Sequence, residues 1–315
     1  MSAGKIILAG GSGFLGRTLT KWFVTRGYET VVLSRQPLER EFARTVFWDA
    51  RSLDAWAGEL EGALALINLA GRSVNCRYHT RNLREMMDSR VLSTKVLGQA
   101  VLKCAAPPPV WLNSSTATIY KHTYGDPHSE AGTTGATLEA KDTFSIEVAQ
   151  AWEKEFERVK TPSTRKVILR TAMVFGNEPG GVYEVLRRLS RLGLGGKMGH
   201  GRQYVSWIQS VDFCRAIEWL IANPNWRGIY NVCVPNPIPN SQMMAVLRRV
   251  LGMPFGLPAT RWMLEIGVFF LRTETELILK SRRVIPARLM KEGFAFLYPQ
   301  MEAAIANLEQ SQEST

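Results

Sequence analysis

The chain has 315 residues, 45% of them hydrophobic and 21% charged, which excludes wholesale disorder and allows a large core. Its four cysteines and four histidines show neither C-x-x-C nor metal-ligand spacing, so we expect no disulfides, no metal and a reducing, cytoplasmic location. The net charge of +11 is dispersed, and its densest runs, "LRRLSR" at 186–191 and "KSRR" at 280–283, are typical of solvated helix faces.

Strand and helix patterns alternate through the first two thirds of the chain. The predicted strands are apolar runs without in/out alternation, at 5–10, 29–35, 44–49, 63–71, 109–115 and 165–176. The predicted helices between them are amphipathic, at 17–27, 84–104 and 141–159. This alternation predicts the α/β class: a doubly wound parallel (Rossmann) sheet with helices on both faces.

The character of the sequence changes after Gly176, where glycine- and proline-rich stretches indicate a boundary. We predict one domain over 1–176 and a smaller mixed lobe over 177–315, with some strands of the lobe able to rejoin the main sheet. Helices are expected near 211–222, 241–250 and 260–283, with a strand at "GIYNVC" (228–233). The segment "WMLEIGVFFL" (262–271) is too short to span a bilayer and predicts a core or interface helix.

A glycine pattern follows the first predicted strand and opens the first predicted helix. Gly10, Gly13 and Gly16 have the spacing G-x-x-G-x-x-G. Glycine permits a sharp turn, close backbone approach to a pyrophosphate, and close helix–strand packing. The helix N-terminus adds a positive dipole. A second predicted strand, at 29–35, follows this helix and supplies the structural context. The pattern therefore predicts a dinucleotide-phosphate loop rather than a simple tight turn.

The second strand ends in Ser34 and Arg35, where an Asp or Glu usually meets a free ribose 2′-hydroxyl. A hydroxyl and a guanidinium suit a 2′-phosphate instead, through charge-assisted hydrogen bonds. The sequence therefore favours NADP over NAD, and the alternative is that Arg35 is an ordinary surface residue. On this basis we predict that residues 1–176 form the NADP-binding domain and that the lobe over 177–315 completes the substrate site.

The motifs "GGSGFLG", "LSR", "INLAG", "DSRVLSTK", "GRQYVSWIQSVD" and "LKSRRVIPARLMKEGFAFLYP" extend over nearly the whole chain. Together they resemble the extended and atypical short-chain dehydrogenase/reductases. More narrowly, they resemble the NAD-dependent epimerase/dehydratase-like proteins, often called nucleoside-diphosphate-sugar epimerases, with that family's C-terminal extension.

The resemblance implies cofactor contacts along several segments. Gly10, Gly13, Phe14 and Leu15 would follow the pyrophosphate, with Gly16 closing the loop, and Ser34 and Arg35 would meet the adenosine phosphate. Leu69, Ala70 and Gly71 would pass along the nicotinamide ribose, while Glu85 and Arg90 would face the cofactor from the long helix. Met173 and Val174 would approach the nicotinamide, although both could equally belong to the core.

The usual Tyr-x-x-x-Lys pair of these enzymes is missing. In that pair, lysine lies one helical turn after tyrosine and favours the phenolate. None of the eight tyrosines here is followed by lysine four positions later. On the corresponding helix, the positions where tyrosine is sought are Phe144, Ser145 and Glu147. The positions where lysine is sought are Val148 and Ala149. The usual redox mechanism therefore does not transfer.

The hydroxyl-rich stretch "SSTATIY" (114–120) offers substitutes. We hypothesise that Ser115 or Thr116 hydrogen-bonds a substrate oxygen, while Tyr120 or Glu147 handles the proton. Simple strand-end hydrogen bonding for the hydroxyls, and a solvated helix carboxylate for Glu147, are the alternatives. Gln203, Ser206 and Trp207 could shape the substrate pocket, and Asp212 is expected to cap the following helix.

Two functions stay open. One is an NADP-dependent oxidoreductase or epimerase that acts on a small polar metabolite, such as a sugar-linked one. The other is a non-catalytic NADP-binding module with a regulatory or redox-sensing role. We expect a small-molecule ligand, a monomer or homodimer, and neither nucleic-acid nor membrane partners; a basic nucleic-acid binder is the remote third reading.

Overall fold

A computed structural model describes residues 3–36, 43–74, 76, 78–140, 142–260 and 276–313. The strands are β1 (Lys5–Ala9), β2 (Glu29–Ser34), β3 (Arg44–Phe47), β4 (Ala65–Asn68), β5 (Val110–Thr116), β6 (Arg165–Thr171), β7 (Met173–Phe175), β8 (Tyr204–Val205), β9 (Trp207–Gln209), β10 (Gly228–Val232) and β11 (Ile238–Pro239). The helices are α1 (Phe14–Val24), α2 (Thr80–Lys103), α3 (Thr143–Arg158), α4 (Val182–Leu189), α5 (Ser210–Ala222), α6 (Asn240–Val250), α7 (Glu276–Leu279), α8 (Ala287–Lys291) and α9 (Met301–Glu313), with 3₁₀ turns at Ala55–Leu60 and Ala117–Ile119.

Seven of these strands form the central sheet, in the order β3-β2-β1-β4-β5-β6-β10. Every neighbouring pair is parallel; on β1, Ile7 lies opposite Val31 of β2 and Leu66 of β4. A parallel sheet needs crossover helices, which cover both of its faces and explain the nearly continuous apolar strands. The predicted doubly wound sheet is confirmed.

Alternate side chains of β1 show how the two layers of core arise. Ile6 and Leu8 pack into one layer with residues of α1 and α5, whereas Ile7 and Ala9 pack into the other with residues of α2 and α3. This follows from the two-residue period of a strand, which sends successive side chains to opposite faces. Burial on both faces fixes the register and brings the carboxyl ends of the strands to one edge.

The chain after residue 176 contributes to the sheet as well as to its covering. β10 extends the sheet beside β6, while β7 pairs with β9 and β8 pairs with β11 in two short sheets. Among the described residues, no helix is long and apolar enough to cross a membrane.

The predicted helix over 260–283 is corrected in its described part. Helix α7 ends at Leu279, and the "KSRR" run that follows is not a solvated helix face, because Lys280 is only 2% exposed and Ser281 is fully buried. The prediction for "WMLEIGVFFL" lies outside the described residues.

Candidate functional site

A cavity of about 720 Å³ opens at the carboxyl edge of the sheet. Its walls come from the β1–α1 loop, the segment after β4, one side of α2, the end of β5 and the first turns of α3. Parallel sheets bind ligands at this edge, where neighbouring crossovers diverge. The described lining residues all fall between Gly10 and Gly180, so the second half of the chain adds little to the walls that the structure describes.

The phosphate loop lies along one end of the cavity. Gly10, Gly13, Phe14, Leu15 and Gly16 all line it, so the predicted loop residues are brought together. Helix α1 begins at Phe14, and its N-cap position, Gly13, has no side chain to occupy the first N–H groups. No acidic residue lies in the first turn of α1. This terminus can therefore accept an anion.

The end of β2 is arranged differently from the loop. Ser34 is buried, and its Oγ accepts a hydrogen bond of 3.3 Å from the Gln36 backbone N–H, whereas Arg35 is exposed. Neither residue lines the main cavity. Residues 37–42, which follow directly, lie outside the described ranges. Arg35 therefore stands at the surface, with a charge that solvent reaches.

The segment after β4 is held by a buried amide network that the sequence analysis missed. The Asn68 Nδ2 donates to Asn113 Oδ1 at 2.7 Å and to Thr94 Oγ1 at 3.1 Å, while Asn68 Oδ1 accepts from the Ala70 N–H at 3.0 Å. Leu69 and Gly71, on either side of Ala70, line the cavity. Asparagines near the ends of two neighbouring apolar strands were the available signal.

Ala70 does not line the cavity and is 6% exposed. It packs against the phosphate loop instead: a Cβ added at Gly10 would lie 2.5 Å from the Ala70 Cα. Its contribution is therefore to hold two cavity walls together.

Helix α2 separates the two residues that were predicted to face the cofactor. Arg90 lines the cavity, whereas Glu85 does not and instead forms ion pairs with Arg72 and Arg81. The Arg90 guanidinium donates to the Met86 carbonyl at 3.0 Å. Burial lowers the pKa of Arg90 to about 10, while Coulombic attraction to neighbouring groups opposes that change. No carboxylate of the described residues pairs with Arg90, so its charge remains available to a ligand.

The hydroxyl groups at the end of β5 reach the cavity as predicted for Ser115 and Thr116, together with Ser114 and Thr118. The hydroxyls of Ser115 and Thr116 differ in the direction of their hydrogen bonds. Ser115 Oγ donates a 2.5 Å hydrogen bond to Glu153 Oε1, whereas Thr116 Oγ1 accepts from the Thr118 backbone N–H at 3.1 Å. The hydroxyl proton of Ser115 is thus already donated to Glu153, whereas the hydroxyl proton of Thr116 can still be donated to a ligand.

Tyr120 is not brought into the cavity, which argues against its predicted proton-transfer role. It is 1% exposed; its hydroxyl donates to Asn231 Oδ1 at 2.8 Å and accepts from Arg170 at 3.0 Å. Burial raises the pKa of Tyr120, with Arg170 opposing the change. The 3₁₀ turn after β5 directs this ring inward, so Tyr120 belongs to a structural network.

That network continues to an ion pair that sequence reasoning overlooked. Glu153 and Arg170 are both buried and share two hydrogen bonds of 2.8 and 2.9 Å. Burial is the largest single influence and lowers the pKa of Arg170, but the hydrogen bonds and charge interactions with Glu153 and Tyr120 together raise that pKa above its usual value. The signals were a carboxylate on the apolar face of α3, beside Ala149 and Phe156, and a cation inside an apolar strand.

Helix α3 presents an apolar wall to the cavity. Phe144, Val148 and Trp152 line it, and the indole N–H of Trp152 donates to Thr94 at 3.0 Å. Glu147 is exposed on another side of α3 and does not reach the cavity, which corrects its placement as a proton carrier. The lining positions of α3 are 144, 145, 148, 149 and 152, and at about 100° per residue the middle of that face points well away from position 147.

Several later residues lie away from the cavity. Met173 is half-buried in the core and is not among the lining residues. Gln203, Ser206 and Trp207 are buried elsewhere and are not among the lining residues. The prediction that they shape this pocket is therefore corrected.

Asp212 is not the N-cap of α5. That position belongs to Gln209, whose side chain accepts from the Val211 N–H. Asp212 lies in the first turn, where its carboxylate accepts from the backbone N–H groups of Leu297 and Tyr298 and thereby anchors the C-terminal segment.

Two family models match the chain. The NAD dependent epimerase/dehydratase family matches residues 6–233, and a domain of unknown function, DUF1731, matches residues 259–308. Among full-length relatives, the epimerase family protein YfhF of Bacillus subtilis is 28% identical over 306 residues, covering 96% of this chain and 97% of that protein. The human epimerase family protein SDR39U1 is 27% identical over 307 residues, with coverage of 96% and 99%.

Solved structures agree with this assignment. The crystal structure of human SDR39U1 (isoform 2) with NADPH superimposes with a TM-score of 0.85 at 25% identity, covering 97% of this chain and 99% of that one. The nucleoside-diphosphate sugar epimerase from Corynebacterium glutamicum gives a TM-score of 0.74 at 28% identity, covering 99% of this chain and 61% of that one. Because the family model spans most of the sequence, the chain belongs to the NAD dependent epimerase/dehydratase family.

Proposed function

We propose that this protein binds NADP and is an oxidoreductase or epimerase that acts on a small polar metabolite, such as a sugar-linked one. The observation that carries the proposal is the single cavity into which the phosphate loop and the hydroxyl groups of β5 both open. A nicotinamide cofactor supplies hydride transfer when bound, and the protein supplies binding, orientation and proton handling.

The phosphate loop fits a dinucleotide diphosphate. A Cβ added at Gly13 would meet no atom within 4 Å, so this position opens onto free space rather than protein. Backbone N–H groups of the first turn of α1 face that space without a side-chain cap. A diphosphate could approach the backbone closely there and complete the hydrogen bonding of the helix end.

The preference for NADP rests on Arg35 and on a relative. Human SDR39U1 was solved with NADPH, and β2 of this chain ends in Ser34 and Arg35 without an acidic residue. An exposed guanidinium beside the adenosine ribose would attract a 2′-phosphate. We expect Arg35→Asp to weaken NADPH binding about tenfold or more while changing NADH binding little, measured as dissociation constants. An unchanged ratio of the two constants would remove this argument.

For substrate binding, we assign different roles to the hydroxyls of Ser115 and Thr116, whose hydrogen bonds run in opposite directions. Thr116 donates to a substrate oxygen, whereas Ser115 accepts from a substrate hydroxyl because Glu153 holds its proton. Thr116→Val should therefore lower kcat about 10- to 100-fold, since a buried unmet acceptor costs about 1–3 kcal/mol. Ser115→Ala, the matched control, should act mainly on KM.

A second function is favoured by one specific observation. The resemblance leads us to look for the tyrosine at Phe144, Ser145 or Glu147 and for the lysine at Val148 or Ala149. Of these five, all but Glu147 line the cavity, and none of those four is an ordinary proton carrier. A regulatory or redox-sensing protein would bind NADP without turnover. Incubation with NADPH and a metabolite library, followed by nicotinamide absorbance at 340 nm, separates the two. Substrate-dependent oxidation supports the enzyme, and tight binding without oxidation by any metabolite supports the sensor.

A further inference from the structure

The face of α3 that lines the cavity has no ordinary proton carrier, so that role would fall to another lining segment; its residues are Phe144, Ser145, Val148, Ala149 and Trp152. Among the described lining residues, Tyr78 is the one tyrosine, and it lies in the segment that leads into α2. Its ring packs edge-on against Phe144, with centroids 5.7 Å apart and an interplanar angle of 67°. Tyr78 therefore stands beside Phe144, one of the three positions at which the resemblance leads us to look for the missing tyrosine. The adjoining surface of α3 presents Phe144 and Ser145, neither of which titrates.

Arg90 brings a positive charge to the same cavity. Its guanidinium lies 5.2 Å from the centre of the Trp152 ring, and a Cβ added at Gly71 would lie 3.1 Å from the Arg90 Cζ. These contacts fix the group in the cavity. Coulombic attraction to Tyr78 opposes the effect of burial on the pKa of Arg90. The interaction is reciprocal, so the cation must also favour the phenolate of Tyr78.

The other charges near Tyr78 are largely balanced. Glu85 is paired with both Arg72 and Arg81, so its repulsion of a phenolate is reduced. Cys76, in the same segment, also interacts electrostatically with the guanidinium on α2. Of the described arginines in this region, Arg72 and Arg81 are paired with Glu85, whereas no carboxylate of the described residues pairs with Arg90.

We propose that Tyr78 is the catalytic acid/base of this site and that Arg90 is the positioning cation that stabilises its phenolate. The inference rests on the proposed function, because it assigns the proton step of that reaction. On oxidation, a substrate carbinol loses its C–H bond as hydride to oxidised nicotinamide. Its O–H bond breaks, the proton forms the O–H bond of Tyr78, and the substrate carbon–oxygen bond becomes a carbonyl. Reduction returns the proton from Tyr78 to the substrate oxygen.

The test is a spectroscopic titration of the cofactor-free full chain, following tyrosinate absorbance near 295 nm. We expect one tyrosine to titrate about one unit or more below the ordinary value near 10, because a cation within several ångströms lowers a phenol pKa. Tyr78→Phe, which keeps the ring contact with Phe144, should abolish that transition. Arg90→Gln should move it upward by about one unit or more, and Arg90→Lys should retain it.

Tyr124→Phe is the matched control, since Tyr124 is 40% exposed and burial raises its pKa. It should leave the low transition intact. The proposal is overturned if wild type shows no such transition, or if the transition survives in Tyr78→Phe. Because the titration uses no cofactor, it can fail while NADPH binding succeeds, and calorimetry with NADPH can fail while the titration succeeds. The two proposals are thus tested separately.

Discussion

At the scale of single residues, the three glycines of the phosphate loop serve different needs. Gly10 has a φ of +73°, and Gly16 lies so close to Gly11 that an added Cβ would sit 2.2 Å from its carbonyl oxygen. These two are required by the fold. Gly13 has a negative φ and open space around it, so the fold does not require glycine at this position and we infer that a ligand does.

The distinction predicts the behaviour of Gly13→Ala. The added methyl contacts no protein atom, so the free energy of unfolding should change by less than about 1 kcal/mol. The methyl would enter the space of the diphosphate, and NADPH affinity should fall about tenfold or more, measured by nicotinamide fluorescence. Gly58→Ala, which also adds a Cβ into open space but away from the cavity, is the control and should alter neither quantity. Equal NADPH affinity for Gly13→Ala and wild type would contradict the assignment.

Tyr120→Phe should act on stability rather than on binding. The change leaves the side-chain oxygen of Asn231 and one N–H of Arg170 without their hydrogen bonds in a buried site, at a cost of about 1–3 kcal/mol. Urea unfolding measures the loss, and the NADPH dissociation constant should stay unchanged. The accompanying variant is Tyr124→Phe, whose hydroxyl lies near the surface beside His200 and should matter less. A stable Tyr120→Phe with impaired turnover would restore its catalytic role.

The sequence predicts which residues come near the cavity better than which way they face. Strand ends and glycine spacing placed Ser115, Thr116 and Gly13 correctly near the carboxyl edge. The direction of Tyr120 depends on the short turn after β5, and that of Glu147 on the rotation of α3; packing sets both. The Ser115 hydroxyl is a donor because its partner is Glu153, which lies thirty-eight residues away in the sequence.

At the scale of elements, the segment after α7 supports two cavity walls. The Lys280 Nζ donates to the Thr118 carbonyl at 2.6 Å and forms a buried ion pair with Asp142, which precedes α3. Asp142 also accepts from the Thr137 N–H at 2.9 Å. A cation from the C-terminal region thereby holds the turn after β5 against the start of α3.

Lys280→Met should be among the most destabilising changes in the chain. Removing one partner leaves Asp142 as an uncompensated buried charge, which typically costs about 3–5 kcal/mol. The double variant Lys280→Met/Asp142→Asn keeps a partner for Thr137 and removes the charge, so it should recover much of the loss. Chemical denaturation of the three proteins tests this. A double variant no more stable than Lys280→Met would argue against the ion pair as the cause.

His122 should make this part of the molecule sensitive to acid. Its Nδ1 accepts from the Ser281 N–H at 3.0 Å, and burial lowers the pKa of His122 below its usual value. The unfolded chain therefore binds the proton first, so this contribution to stability is present above about pH 6.5 and is lost as the pH falls.

The comparison of unfolding free energies at pH 7 and pH 5 checks the acid effect. His122→Asn retains an acceptor for Ser281 without a titrating ring, so the difference between the two pH values should shrink. His79→Asn, at an exposed histidine, should keep the wild-type difference. An identical pH dependence in His122→Asn and wild type would contradict the assignment.

The elements themselves were largely predictable. Continuous apolar runs define the buried strands β1, β2, β4, β5 and β6, because both faces of a parallel sheet are covered. The prediction that the "KSRR" run is a solvated helix face was wrong. Charge patterning alone does not show that Lys280 forms a buried ion pair with Asp142, which is far away in the sequence.

At the scale of the whole molecule, the two halves of the chain divide the work. The described cavity lining comes from residues up to Gly180, whereas the later elements extend the sheet through β10 and contact the first half through Lys280. Asp212 holds the C-terminal segment in place within the second half. Relatives match over nearly the full length, which fits a chain whose C-terminal region shapes the site by support.

The most direct measurement is isothermal titration calorimetry of the full chain with NADPH and, separately, with NADP⁺. The account predicts saturable binding of one dinucleotide per chain, with NADH bound more weakly because Arg35 has no 2′-phosphate to attract. A titration without saturable heat or affinity for either phosphorylated coenzyme would contradict the central claim that the loop between β1 and α1 binds a dinucleotide diphosphate.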